Sequence, residues 1–201
     1  MIGIVGGTFD PIHYGHLCPV HRLVTELRFE NVHYVLSARP PHRQTPQASA
    51  AHRYRMLALA LAEFPEFTAD DREIRRPGPS YTLWTVQELR QQYAGESLCL
   101  ILGMDAYLGR HSWYRWHEIE FLVNIVVLSR PGWQAEADSD VGDEQALRNT
   151  LSGVVMFSDS VEMPITATDV RHKLGRGECV GDAVPAPVLE YIRTNQLYGV
   201  K

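Results

Sequence analysis

A short apolar run, Ile2-Gly3-Ile4-Val5, passes without a break into Gly6-Gly7-Thr8-Phe9-Asp10-Pro11-Ile12-His13-Tyr14-Gly15-His16. A strand thus feeds a glycine-rich turn, and the turn opens a helix. That order constrains the chain strongly, because it is the opening of an α/β unit whose ligand edge lies at the carboxyl end of the strand. Gly6 and Gly7 are expected to allow positive φ and close approach of backbone to a ligand. The helix start offers unsatisfied N–H groups and the positive end of its dipole to an anion. His13 and His16, three apart, can project imidazole donors from one face toward the same place. The expectation is a phosphate seat. A competing reading makes the two histidines zinc ligands with Asp10 or His21, since helical spacing suits a metal. The clustered cysteines or glutamate of the familiar zinc motifs are missing, and Gly15 between the histidines suits a crowded phosphate better.

At 201 residues the chain is long enough for one sizeable α/β domain, and a single domain over 1–201 is expected. With 45% hydrophobic and 21% charged residues its composition is that of a soluble globular protein. A formal charge of −5 and a pI near 6.0 argue against a general nucleic-acid or anionic-membrane binder and point to a small ligand. Cys18, Cys99 and Cys179 are odd in number and widely spaced, so no disulfide framework is expected and each reads as a small core residue. No basic leader opens the chain, and no apolar run approaches the roughly 20 residues needed to span a bilayer, so a cytoplasmic protein is expected.

Leu17, Val20, Leu23, Val24 and Leu27 recur at helical spacing, and Val32-His33-Tyr34-Val35-Leu36 reads as a second, largely buried strand. Further strands are predicted at 66–69, 97–102, 124–128 and 154–157, with helices near 50–64, 82–93, 113–122 and 144–151. Strand and helix alternate, which predicts a Rossmann-like, doubly wound, mostly parallel sheet with right-handed crossovers. Residues 132–144 carry Asp138, Asp140 and Asp143 and read as a solvated acidic loop. The chain has no G-x-x-x-x-G-K-[ST], and Gly3-Ile4-Val5-Gly6 does not continue into G-x-G-x-x-G, so a Walker-type ATPase and an ordinary dinucleotide dehydrogenase lose their main support.

Five further stretches carry candidate residues. Ser37-Ala38-Arg39-Pro40-Pro41-His42-Arg43 is a basic, proline-stiffened segment just past the second strand. Pro79-Ser80-Tyr81-Thr82 precedes a helix, with Ser80 or Thr82 an ordinary N-cap. Gly103-Met104-Asp105 ends a strand, and an aspartate there can accept from ribose hydroxyls. Trp113-Tyr114-Arg115-Trp116 follows, with Trp116 read as packing. Ile165-Thr166-Ala167-Thr168-Asp169-Val170-Arg171 can form a second anion seat at a helix start, although Thr168 serves equally as a plain N-cap.

Gly6 to His16 resembles, nearly letter for letter, the G-G-T-F-D-P-x-H-x-G-H signature of the nucleotidyltransferases that carry an H-x-G-H motif. The later motifs resemble bacterial nicotinate-mononucleotide adenylyltransferases in kind and order, from Ile2 to Tyr198. The likeness implies that Gly6, Gly7, Thr8, Phe9, His13, His16, Gly103, Asp105, Thr166, Thr168 and Arg171 bind ATP. Arg43, standing where the P-x-H-K pattern has lysine, would meet phosphate. Ser80, Tyr81, Thr82, Leu83, Trp113 and Tyr114 would hold the acceptor, with Trp113 stacked on its pyridine ring. Ala167 replaces a motif serine and is assigned nothing. The closing helix of the family has its likeness in Val184 to Ile192 together with Leu197 and Tyr198.

The implied reaction joins ATP and nicotinate mononucleotide to give nicotinate adenine dinucleotide and pyrophosphate. The acceptor phosphate is itself the nucleophile, so no general base is required. His13, His16 and Arg171 would stabilise charge, and Mg²⁺ would arrive with ATP and keep mostly water ligands. Pantetheine-phosphate adenylyltransferases and cytidylyltransferases share the H-x-G-H turn and remain alternatives, as does a non-catalytic nucleotide-binding module.

Overall fold

The computed structural model describes residues 1–41, 45–129, 142–158 and 163–200. Its strands are β1 (Ile2–Gly7), β2 (Asn31–Leu36), β3 (Phe67–Asp70), β4 (Leu98–Gly103), β5 (Asn124–Leu128) and β6 (Val155–Ser158). The helices are α1 (Tyr14–Leu27), α2 (Ala50–Leu61), α3 (Arg72–Arg75), α4 (Thr82–Gln92), α5 (Met104–Leu108), α6 (Trp116–Glu120), α7 (Glu144–Asn149), α8 (Ala167–Gly175) and α9 (Ala186–Thr194). All six predicted strands are present, each within a residue or two of its expected bounds. The strand order is β3-β2-β1-β4-β5-β6. The pairs β1–β4, β4–β5 and β5–β6 are parallel. The order reverses direction between β1 and β4, and in doubly wound sheets ligands bind outside the carboxyl ends of the strands at such a point.

The backbone divides into two compact units. The first comprises Met1–Gly6, Pro19–His33 and Tyr81–Glu162. Its strands β4 and β5 are apolar throughout apart from Asn124 and Gly103, as strands buried on both faces must be. Gly103 is level with Leu128, and Leu128 with Ser158, so three strands end together. Leu83, Val86 and Leu89 on α4 recur at helical spacing and are fully buried. Asn124, the polar exception, is buried but satisfied: its Nδ2 donates to Ser97 Oγ at 2.9 Å and to the Thr150 carbonyl at 3.0 Å.

The second unit comprises Gly7–Cys18, Tyr34–Ser80 and Met163–Lys201. Met56, Leu57, Ala60 and Leu61 form the apolar stripe of α2, and Val170, Leu174, Val188 and Ile192 those of α8 and α9; all are buried. Tyr34 packs its ring 4.9 Å from Phe67.

Three expectations fail. The helix predicted over 113–122 shrinks to α6 because Arg115 takes a left-handed conformation (φ 52°) that an α-helix cannot include. The short helices α3 and α5 carry too few residues to show a period. Of the cysteines, Cys99 is buried as expected, whereas Cys18 and Cys179 are exposed. Most of the acidic stretch, 132–141, lies outside the described residues. Its end is visible, where Asp143 caps α7 by accepting the Ala146 N–H at 2.8 Å.

Candidate functional site

The phosphate turn is built differently from the simplest expectation. Strand β1 runs through both glycines, and neither Gly6 nor Gly7 has positive φ; the left-handed residue is Phe9, at φ 48°. That conformation folds the Phe9 ring back over Gly7, where an added Cβ would fall 2.4 Å from the ring. Gly7 is therefore required by close packing, while a Cβ on Gly6 would meet nothing within 4 Å. The Gly6 backbone is bare and open, as approach of a ligand demands.

His13 and His16 are brought together, their rings stacked at 3.7 Å between centroids and 28° apart in plane. Gly15 makes this possible, since a Cβ there would fall 2.9 Å from His13 Nδ1 and 3.1 Å from the Ile165 carbonyl oxygen. His13 is buried, and its Nδ1 has no hydrogen-bond partner among the described residues. Burial lowers its pKa from the usual 6.5 to about 4, so the ring is neutral near pH 7. His16 is half-buried, and the Phe9 ring meets it edge-on at 5.2 Å.

The His13 shift has a sign that can be tested. A histidine with folded pKa about 4 and unfolded pKa 6.5 gives its full contribution to stability above pH 6.5. That contribution is lost as pH falls from 6.5 through about 4, because the unfolded chain binds the proton first. Urea midpoints measured across this window are expected to fall more steeply for the native sequence than for His13→Gln. Parallel curves for the two proteins would remove His13 as the cause.

Arg171, one turn into α8, reaches the same place. Its Nη1 donates to the Asp10 carbonyl at 2.7 Å and its Nη2 to Thr168 Oγ1 at 3.3 Å, while its buried Nε has no partner among the described residues. The cap of α8 is Thr166 rather than Thr168: Thr166 Oγ1 accepts the Asp169 N–H at 3.1 Å and donates to Asp169 Oδ2 at 2.7 Å. Thr168 is left for Arg171.

Arg53 and Tyr198, to neither of which the sequence assigned a role at the site, hold the turn from behind. The buried Asp10 carboxylate accepts the Gln47 N–H at 2.8 Å, the Ala48 N–H at 3.1 Å and the Tyr198 hydroxyl at 2.8 Å. Burial, with the Asp10 charge next in weight, pushes the Tyr198 pKa far up and keeps this phenol a donor. Arg53, on α2, points its guanidinium at the carbonyls of Thr8, Ser37, Ala38 and Ala48. The available signal was a single arginine on the apolar stripe of Met56, Leu57 and Ala60. The zinc reading loses its further ligands, since Asp10 is occupied and His21 is exposed. Among the described residues no three His, Cys, Asp or Glu side chains are grouped to hold a metal. Arg43 lies outside the described residues.

Ser80 does not cap α4. Its N–H donates to the Arg39 carbonyl at 2.9 Å and its Oγ accepts the Arg39 N–H at 3.0 Å. Arg39 in turn donates its Nε to the Gly78 carbonyl at 2.6 Å and its Nη2 to the Glu73 carbonyl at 3.1 Å. This segment of the basic stretch is thus committed to backbone.

The remaining candidates lie in the other unit. Tyr81 occupies the cap position of α4 with extended backbone and no side-chain cap, Thr82 is the first helical residue, and Leu83 turns its side chain into the core. The Tyr81 ring stacks on Tyr114 at 4.4 Å and 26°, and Trp84, which sequence reasoning did not single out, meets Tyr81 edge-on at 4.9 Å. Trp113 is half-buried, 5.6 Å from the buried Trp116 ring, which packs as expected. Gly103 is the cap residue of α5, and Asp105 stands exposed in its first turn. An aromatic wall and a helix start therefore share one unit.

A family model described as cytidylyltransferase-like matches residues 4–173. A relative from Klebsiella pneumoniae subsp. pneumoniae, described as a probable nicotinate-nucleotide adenylyltransferase, is 40% identical over 206 residues, covering 97% of this chain and 95% of that protein. Another so described, from Acidithiobacillus ferrooxidans, is 38% identical over 205 residues, covering 97% and 94%. In fold, the chain is similar to Plasmodium falciparum nicotinic acid mononucleotide adenylyltransferase complexed with NaAD, at a TM-score of 0.75 and 14% identity over 100% of this chain and 98% of that one. The chain belongs to the cytidylyltransferase-like nucleotidyltransferases and, within them, to the nicotinate-nucleotide adenylyltransferase family.

Proposed function

We propose that this enzyme transfers the adenylyl group of ATP to the phosphate of nicotinate mononucleotide, releasing pyrophosphate and forming nicotinate adenine dinucleotide, in the cytoplasm and as one domain over 1–201. The observation that carries the reading is the stacked His13–His16 pair in the turn whose Asp10 carbonyl holds Arg171. Gly6, Gly7, Thr8 and Phe9 offer backbone to the triphosphate, and His13, His16 and Arg171 offer side-chain donors. Because the acceptor phosphate is already anionic, these groups need move no proton; they orient the α-phosphate and neutralise charge as pyrophosphate leaves. His13, held neutral by burial, acts as an N–H donor, and a bound anion raises its pKa. Thr168 keeps Arg171 aligned, and Arg43 is assigned to phosphate. Gly103 and Asp105 are assigned to the ribose of ATP. Mg²⁺ accompanies ATP, with phosphate and water oxygens as its ligands and no protein residue assigned. When bound it supplies positive charge to the leaving pyrophosphate.

The acceptor ring is assigned to Trp113 and the Tyr81–Tyr114 pair, with Ser80, Thr82 and the first-turn N–H groups at Leu83 as polar partners. Helix-start donors favour a ring carboxylate over a carboxamide, whose NH₂ leaves a donor unpaired at a typical cost of about 1–3 kcal/mol. Assayed with both mononucleotides at equal ATP and Mg²⁺, the enzyme is expected to prefer the acid by about tenfold or more in kcat/KM. Equal use, or preference for the amide, would move it to the nicotinamide branch. Transfer to phosphopantetheine, or from CTP in place of ATP, would replace the reading altogether.

A further inference from the structure

Arg53 is only 1% exposed, yet its hydrogen-bond partners are neutral. Its Nη1 donates to the carbonyls of Thr8 at 2.7 Å and Ser37 at 2.8 Å, Nη2 to that of Ala38 at 3.1 Å, and Nε to that of Ala48 at 3.1 Å. A buried guanidinium costs considerably more than an apolar residue of its size unless its donors are satisfied. Four backbone carbonyls from three chain segments satisfy it here. Asp10 works in the opposite sense on an adjoining stretch, accepting the N–H groups of Gln47 and Ala48. The pair thus ties the end of β1, the end of β2 and the start of α2 to one another.

The tie bears on chemistry through the planarity of the peptide. In a trans peptide the N–H of one residue points opposite to the carbonyl of the residue before it. With the Thr8 carbonyl drawn to the buried Arg53, the Phe9 N–H is directed away from Arg53. We propose that Arg53 is a positioning residue for adenylyl transfer: it touches no substrate, and it sets the Thr8–Phe9 peptide so that its N–H faces the transferring phosphate. The proposal rests on the reading of this turn as a phosphate seat.

Arg90 provides a matched control. It too donates to backbone carbonyls, those of Leu122, Tyr93, Glu96 and Leu151, and it lies in the unit that does not contain Thr8 and Phe9. Arg53→Met, Arg53→Lys and Arg90→Met are to be compared with the native enzyme by thermal unfolding and by steady-state kinetics well below every midpoint. All three variants are expected to lose thermal stability. Arg90→Met keeps kcat within about twofold, whereas Arg53→Met loses about tenfold or more in kcat with acceptor KM little changed, as misplacement of a group by a fraction of an ångström implies. Arg53→Lys keeps the charge but reaches fewer carbonyls, so it falls between the two. If Arg53→Met does not fold, the lysine variant carries the test alone, and full kcat in it overturns the proposal. Equal losses of kcat in the Arg53 and Arg90 variants also overturn it, since the effect would then be one of stability. A native enzyme without adenylyl transfer would instead overturn the reading of the turn.

Discussion

Alanine at His13 or at His16 is expected to lower kcat on the order of 10²-fold or more, with acceptor KM moving by no more than about twofold. The two imidazoles stack at 3.7 Å at the start of α1, so each fixes the other, and on the proposed reading both address one anion. Their donors meet most charge when the α-phosphate is between its two oxygen partners, and an interaction stronger then than in the ground state appears in kcat. Because the rings are in contact, the double variant should lose less than the product of the single losses. Steady-state kinetics on the three variants at pH 7 suffices, and near-normal kcat in both single variants would remove the histidines from the reaction.

Arg171→Lys is expected to lower kcat/KM for ATP by about tenfold to a hundredfold although the charge is kept. The guanidinium does several things at once: Nη1 holds the Asp10 carbonyl, Nη2 reaches Thr168, and the buried Nε has no partner among the described residues. A single ammonium cannot hold the turn and meet phosphate with the same geometry. Titrating ATP at saturating acceptor reads the effect, and unchanged ATP kinetics would take Arg171 out of the site.

What the sequence disclosed follows from the range of the forces involved. The strands β2, β4 and β5 are legible because burial on both faces makes their sequences apolar almost without interruption. The helix break at Arg115 is invisible, since no glycine or proline marks a left-handed residue there. The turn shows the same limit. Its two glycines are plain in the sequence, but the positive φ falls on Phe9, and only three-dimensional packing says that Gly7 makes room for that ring. The histidine pair was readable because helical geometry fixes a spacing of three. Arg53 and Tyr198 were not, because their partners lie far off in sequence and no local period records such a contact. The cap at α8 was assigned one hydroxyl too late: Thr166 and Thr168 are equivalent on paper, and the location of Arg171 separates them.

The Asp10–Tyr198 hydrogen bond joins residues 188 positions apart, and Arg171 reaches Asp10 across 161. The turn at 6–16 therefore acquires its full set of contacts only through pairings distant in sequence. Asp10 meets Gln47 and Ala48 across only 37 and 38 positions, whereas the phenol and guanidinium that complete its surroundings are far more distant along the chain. Closing so long a loop is slow relative to local helix and strand formation. The turn accordingly completes its contacts later in folding than its own helix and strand form.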